Sequence, residues 1–205
     1  FVETKPLVDE QRVYFGSWGN YFYALNKKDG SPAWRWTNGK GDLYSPAACF
    51  PVKADGKIFI VAPDRFTTAL DAVTGEEVWR SNQHIGRESI GISADKKLVY
   101  IKDMNDSLHA FNSQSDQSVR SWSVDCGFGY EISPSPIVEF NQLVLVPTHA
   151  GTVYAVDKNQ KKVVWAYKMS NAIINNIVPI GKNEIVMGSM DGKVVKLRME
   201  GQKLL

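Results

Sequence analysis

An internal repeat constrains this chain more than any other feature. The segments Tyr23-Ala24-Leu25-Asn26, Thr68-Ala69-Leu70-Asp71, His109-Ala110-Phe111-Asn112 and Tyr154-Ala155-Val156-Asp157 share one pattern, and Val195-Lys196-Leu197-Arg198 is a degenerate fifth copy. The small-residue positions Ala24, Ala69, Ala110, Ala155 and then Lys196 lie 45, 41, 45 and 41 residues apart. A tryptophan follows each of the first four, at Trp34, Trp79, Trp122 and Trp165. A fixed period of this size implies a series of similar units that bury their apolar faces by stacking.

Ahead of each small-residue position runs a β-branched or aromatic segment: Val13-Tyr14-Phe15, Ile58 to Val61, Leu98 to Ile101, Leu143 to Val146 and Ile185 to Met187. These segments are bounded by turn residues such as Asp55-Gly56 and Asn141-Gln142, and they read as strands. Further upstream a second short run recurs, usually beside a proline, at Pro6-Leu7-Val8, Ser45-Pro46-Ala47, Ser89-Ile90-Gly91, Ser135-Pro136-Ile137 and Val178-Pro179-Ile180. Proline lacks a ladder donor, so these runs are expected at sheet edges or strand starts. Each unit of about 43 residues then holds four strands and no sustained helical period. The expected fold is all-β: a β-propeller of four-stranded antiparallel blades, with about five repeats in one domain over 1–205. The blades are expected near 5–37, 43–82, 87–125, 130–169 and 173–205, the last incomplete.

The tryptophans are expected to be docking residues before anything else. Trp34 and Trp79 each stand four residues after a turn glycine, Gly30 and Gly75, and a large aromatic there can fold over the alanine slot of a neighbouring blade. An indole buries about 150 to 250 Å², about 4 to 6 kcal/mol of gross transfer free energy.

Composition excludes several alternatives. The chain carries 24 Lys and Arg against 22 Asp and Glu, with no basic run beyond Lys27-Lys28 or Lys161-Lys162, so a nucleic-acid partner is not expected. Apolar runs have strand length, so no membrane insertion is expected. Cys49 and Cys126 stand far apart without CxxC spacing, which suits two buried thiols, with one disulfide as the alternative. The three histidines, His84, His109 and His149, have no metal-site spacing, although a propeller could bring His84 and His149 to one face. No catalytic or metal-binding residue is assigned.

The repeat resembles the pyrroloquinoline-quinone-like (PQQ-like) propeller family, best in Thr68-Ala69-Leu70-Asp71-Ala72-Val73-Thr74-Gly75-Glu76-Glu77-Val78-Trp79. The resemblance implies a ring of seven or eight blades, binding and scaffold roles in some members, and PQQ with calcium in others. Quinoprotein members hold the quinone beneath a vicinal cysteine pair. Cys49 and Cys126 are not adjacent, so no cofactor residue carries over and no cofactor is expected. The resemblance also implies an exported, periplasmic setting.

The chain starts at Phe1 without a leader pattern, which points to a processed or truncated product. Either two or three N-terminal blades are missing, or Phe1 to Thr4 supply the outer strand of the fifth blade and close a five-bladed ring. Leu205 falls at or beside that blade's tryptophan position.

With strands in the order given, the outer-to-inner connections and the second-to-third turns open on one face of the disc, where a rigid scaffold displays function. That face is expected to carry the candidate ligand-binding residues Trp18, Tyr44, Arg65, Arg87, Glu88, Tyr130, Glu131 and Asn175. Their mixture of aromatic, acidic, amide and basic groups suits a peptide or small polar ligand, and also the ordinary polarity of solvated loops. The expected function is a non-catalytic binding or scaffold module for a protein or polysaccharide ligand, or for other domains of a larger chain. The alternative is part of a PQQ-dependent dehydrogenase, or a propeller attached to a hydrolase such as a metallophosphoesterase.

Overall fold

The computed structural model describes residues 2–200 and 203–204. Blade 1 comprises β1 (Leu7–Val8), β2 (Arg12–Gly16), β3 (Phe22–Asn26) and β4 (Pro32–Trp36). Blade 2 comprises β5 (Val52–Ala54), β6 (Lys57–Val61), β7 (Thr67–Asp71) and β8 (Glu77–Ser81). Blade 3 comprises β9 (Gly86–Ile92), β10 (Leu98–Asp103), β11 (Asn105–Asn112) and β12 (Arg120–Tyr130). Blade 4 comprises β13 (Val138–Phe140), β14 (Leu143–Pro147), β15 (Thr152–Asp157) and β16 (Lys162–Lys168). Blade 5 comprises β17 (Ile174–Pro179), β18 (Glu184–Ser189), β19 (Val194–Glu200) and β20 (Lys203–Leu204). Each is a four-stranded antiparallel sheet in sequential strand order, the architecture of a β-propeller.

The proline runs behave differently from blade to blade. In blade 2, Pro46–Ala48 forms a 3-10 turn with proline at its start, and the inner strand begins only at Val52. In blade 4, Ser135-Pro136-Ile137 likewise precedes the strand, which starts at Val138. Proline withholds the donor that a ladder needs, so these two runs lead into strands that are each 3 residues long.

The tryptophan mechanism needs a correction. The register sets Ala24 opposite Trp34, Ala69 opposite Trp79, Ala110 opposite Trp122 and Ala155 opposite Trp165, so each alanine slot belongs to its tryptophan's own blade. The small side chain leaves room beside the indole, which reaches the next blade. Trp34 Nε1 donates to the carbonyl of Ala72 at 3.2 Å, and a Cβ on Gly75 would come within 2.5 Å of the Trp34 ring. Gly75 also holds φ +77°. Blade 1 therefore sits on the Thr74-Gly75 turn of blade 2, and that turn accepts only glycine without rearrangement.

Among the described residues, four apolar clusters join the blades in series. Tyr14, Phe22 and Trp34 meet Ile58, Ile60 and Leu70 between blades 1 and 2. Phe59 and Trp79 meet Ile90, Ile101 and Phe111 between blades 2 and 3. Tyr100, Leu108 and Val124 meet Val144, Val146 and Val156 between blades 3 and 4, with Trp122 at the margin. Leu145, Val153 and Ala155 meet Ile185, Met187 and Leu197 between blades 4 and 5, with Trp165 at the margin.

The end faces differ from the inner ones. Every residue of β6 and β14 is buried, whereas burial alternates along β18. The outer face of blade 5 carries Lys196 in the small-residue position, paired with Glu184 at 3.0 Å. The outer face of blade 1 carries half-buried Val13, Phe15, Tyr23 and Leu25, with Phe15 stacked on Tyr23 at 5.6 Å. Residues 2–4 form no strand with blade 5; the Glu3 amide donates to the Ala47 carbonyl and Thr4 Oγ1 to the Cys49 carbonyl. The outer strand of blade 5 is Lys203–Leu204, while Phe1 and Leu205 lie outside the described residues.

Two comparisons test this packing by denaturant unfolding. Trp79→Ala should lose about 3 to 5 kcal/mol, and a loss below about 1 kcal/mol would contradict its place in the interblade core. Gly75→Ala should cost clearly more than Gly30→Ala. Both glycines have positive φ, but nothing lies within 4 Å of a Cβ at Gly30. Equal losses would show that backbone strain alone, about 1 to 2 kcal/mol, sets the requirement.

Candidate functional site

The second-to-third turns share a backbone signature. Asn20, Arg65, Asp106, Gly151 and Gly192 occupy corresponding positions and all have positive φ, between 63° and 81°. Asparagine, aspartate and glycine tolerate this region, whereas an arginine there is strained. In blade 2 the turn is closed by the Ala62 amide donating to the Phe66 carbonyl at 3.3 Å, and the exposed Arg65 stands at its tip.

Around that turn the structure assembles a cationic and aromatic cleft of about 520 Å³, lined by Lys40, Leu43, Tyr44, Pro63, Asp64, Arg65 and Arg87. Tyr44 ends the 3-10 turn Asp42–Tyr44 in the connection from blade 1 to blade 2, and Arg87 lies on β9. Lys40 Nζ stands 4.8 Å from the Phe66 ring centre and 5.6 Å from that of Tyr44. The Arg80 guanidinium lies 4.4 Å from the Phe66 centre and 5.6 Å from that of Trp36. Such contacts hold cations on ring faces. Asp64, the cleft's carboxylate, is engaged by Arg80 and accepts the Phe66 amide at 3.1 Å.

Tyr44, Arg65 and Arg87 are therefore brought together. The other candidates are placed elsewhere. Arg87 and Glu88 belong to β9 and Tyr130 to the end of β12, so the expectation that they occupy loops is corrected. The reason is extra strand pairing: Asp103 pairs with Gly86 and Asn105 with Tyr130, across irregularities in register. Asn175 lies on β17 beside another break in register and lines a separate cleft of about 300 Å³ with Glu3, Phe50, Ile173 and Met190. Trp18 is 38% exposed and Tyr130 is 61% exposed. Glu88 is buried with φ +62°; burial pushes its carboxyl upward, Arg87 opposes this, and Glu3 adds to it.

Glu131 is also buried, and its contacts are structural. The Lys102 ammonium donates to Glu131 Oε1 at 3.1 Å, Ser133 Oγ at 2.9 Å and the Pro147 carbonyl at 2.7 Å. Glu131 Oε2 accepts the His149 amide and meets His149 Nδ1, each at 2.9 Å. This network pins blade 3 to blade 4. Burial brings Lys102 down to about 8, against the attraction of Glu131. Burial opposes ionisation of Glu131, but Lys102 and the amides of His149 and Ser133 outweigh it and hold the carboxyl below its usual range.

His84 and His149 do not converge. His84 packs on His109 with ring centres 4.0 Å apart, while His149 joins Glu131. Among the described residues no group of three or more His, Cys, Asp or Glu is arranged to hold a metal. Cys49 and Cys126 are free and buried in different parts of the fold, and burial pushes Cys126 up to about 12. They are therefore not the vicinal pair that the quinone site of the PQQ-dependent enzymes uses.

Sequence reasoning missed Lys40, Phe66, Arg80 and Lys102. Lys102 had a signal, being a lone cation at the end of the apolar run Leu98 to Ile101. Lys40 and Arg80 had none, because their roles depend on rings that only the fold brings near.

The model of the family described as outer membrane protein assembly factor BamB matches residues 1–115 and 67–205. The chain belongs to that family. It is 28% identical over 185 residues to BamB of Shewanella oneidensis, covering 80% of this chain and 44% of that protein. It is 23% identical over 167 residues to BamB of Francisella tularensis, covering 80% of this chain and 35% of that one. The chain thus spans less than half the length of these curated relatives. The crystal structure of BamB from Moraxella catarrhalis superposes with a TM-score of 0.73 at 14% identity, over 97% of this chain and 61% of that one. The computationally designed Ika8 protein gives 0.74 at 12% identity, over 96% and 58%. These two likenesses show the propeller fold. The BamB relatives are bacterial and named for outer-membrane assembly, in agreement with the envelope setting that the repeat resemblance implies.

The buried pair yields a pH test. A carboxyl held low in the folded state adds stability above its unfolded value, near 4.3, and this is lost as pH falls through the folded value. Glu131→Gln should lower stability at neutral pH by about 3 to 5 kcal/mol, because it leaves Lys102 buried and uncompensated. The variant should also regain stability as alkaline pH discharges Lys102, whose folded value lies below its unfolded one. Thermal melts across pH check this, and a variant whose losses are the same at all pH values would contradict the network.

Proposed function

We propose that this chain is a non-catalytic propeller scaffold of the bacterial envelope that binds a protein partner through the face carrying the second-to-third turns. The observation that carries this reading is the cleft where Tyr44, Arg65 and Arg87, drawn from three separate segments, meet over a fixed backbone. Its support is twofold. Tyrosine and arginine dominate the energetics of protein interfaces, and the relatives are named as assembly factors of outer-membrane proteins. Rigid presentation limits the ordering cost of association.

Site-specific photo-crosslinking in envelope preparations tests the face. A photoreactive residue at Tyr44 or Tyr130 should trap one defined partner band, whereas the same residue at Asp55 or Asn141, in first-to-second turns on the opposite face, should not. Equal trapping from both faces, or trapping from the opposite face alone, would overturn the assignment. Incubation with PQQ and calcium should leave no quinone absorption after dialysis, and a retained band with dehydrogenase activity would overturn the non-catalytic reading.

A further inference from the structure

We propose that the cleft beside Arg65 is a site for an acidic segment of a partner protein, one that presents paired carboxylates next to an apolar side chain. This rests on the scaffold reading above and names the chemistry of the segment bound.

The first ground is charge. Lys40, Arg65 and Arg87 line the cleft, and among the described residues none of the three forms an ion pair. Of the carboxylates near these cations, Asp64 is already paired with Arg80, and buried Glu88 attracts Arg87 without an ion pair. The cations at the mouth of the cleft therefore still repel one another, and an anionic ligand relieves that repulsion. The second ground is backbone. Arg65 holds φ +70° where the corresponding turns use asparagine, aspartate or glycine. Residues kept in a sparsely populated region cluster where function requires them.

The apolar part of the lining selects a peptide over a bare anion. Leu43 is 84% exposed and Tyr44 is 45% exposed, and Pro63 continues the same wall. The guanidinium fork matches the planar carboxylate in a two-point contact, while Leu43 and Tyr44 offer area to an adjoining leucine or phenylalanine. Lys40 is held over the Phe66 and Tyr44 rings, so its charge is fixed at the rim before the ligand arrives.

The experiment measures fluorescence anisotropy of the full chain with a short fluorescein-labelled peptide of repeated Leu-Glu-Glu-Phe units. The same peptide with Gln for every Glu is the control, and tripolyphosphate is the competitor. The acidic peptide should bind at least about tenfold more tightly than the amide peptide, with affinity falling as salt rises. Arg65→Asn and Arg87→Ala should each weaken it about five- to tenfold. Arg65→Asn should leave the melting temperature unchanged or raised, because asparagine fits the left-handed turn. Equal affinity for the two peptides, or no effect of either variant, would overturn the proposal. Displacement by tripolyphosphate at concentrations as low as those of unlabelled peptide would do so too, by showing a general polyanion site. If the peptide results fail while loop-face crosslinking to one partner persists, the acidic-segment assignment falls and the scaffold reading stands. Loss of both would remove both.

Discussion

Each blade of this chain depends on a neighbour to bury its faces. A four-stranded sheet exposes two faces, and one side alone cannot carry the conformational entropy of ordering it. The solution is repeated at every interface: aliphatic side chains of one second strand meet aromatics of the preceding blade. The outer-strand tryptophan joins them, buried in the core at the first two interfaces and at its margin in the last two. At the first interface the contact is most explicit, because the Trp34 indole lies on Gly75 and donates to Ala72. The alanine opposite each tryptophan is part of the same device, since a larger side chain there would compete for the space the indole fills.

The fold handles charge in two contrasting ways on the same face. At the junction of blades 3 and 4, Lys102 and Glu131 are buried together, and the surrounding hydroxyl, carbonyl and amide groups complete their hydrogen bonding. That arrangement is closed and leaves nothing for a ligand. At the junction of blades 1, 2 and 3, the cations stand around aromatic rings, and the local carboxylate is already committed to Arg80. This second arrangement is open. Both are built from strand ends and turns whose positions the interblade cores fix, so recognition depends on packing well below the surface.

Much of the fold was legible in the sequence, because the spacing of Ala24, Ala69, Ala110 and Ala155 and of the tryptophans records a period that only stacked units explain. What could not be read was geometry beyond the strand. The alanine and tryptophan of one blade are separated by about ten residues in sequence, and only the register shows that they face each other. Ser45-Pro46-Ala47 has strand-like neighbours but folds as a 3-10 turn, since its proline cannot donate. The site was legible as a set of loops and illegible as a constellation. Glu88 and Glu131 look like surface carboxylates in a set of loop residues, yet both are buried: Glu88 sits within β9 at a break in register, and Glu131 is drawn in by Lys102 and His149. Tyr44, Arg65 and Arg87 could be listed together from topology, whereas Phe66 and Arg80, which organise their surroundings, became visible only with the rings and the guanidinium in place.

Hydrogen exchange on the native chain and on Trp79→Ala tests the central dependence most directly, because it reads the local stability of each blade separately. If blades are stable only through shared cores, the substitution should reduce protection in blade 2 and in β9 to β11 of blade 3 together, and in the turn that carries Arg65. Loss of protection confined to β8, with blade 3 and the cleft unchanged, would contradict the account and show that the blades hold their structure independently.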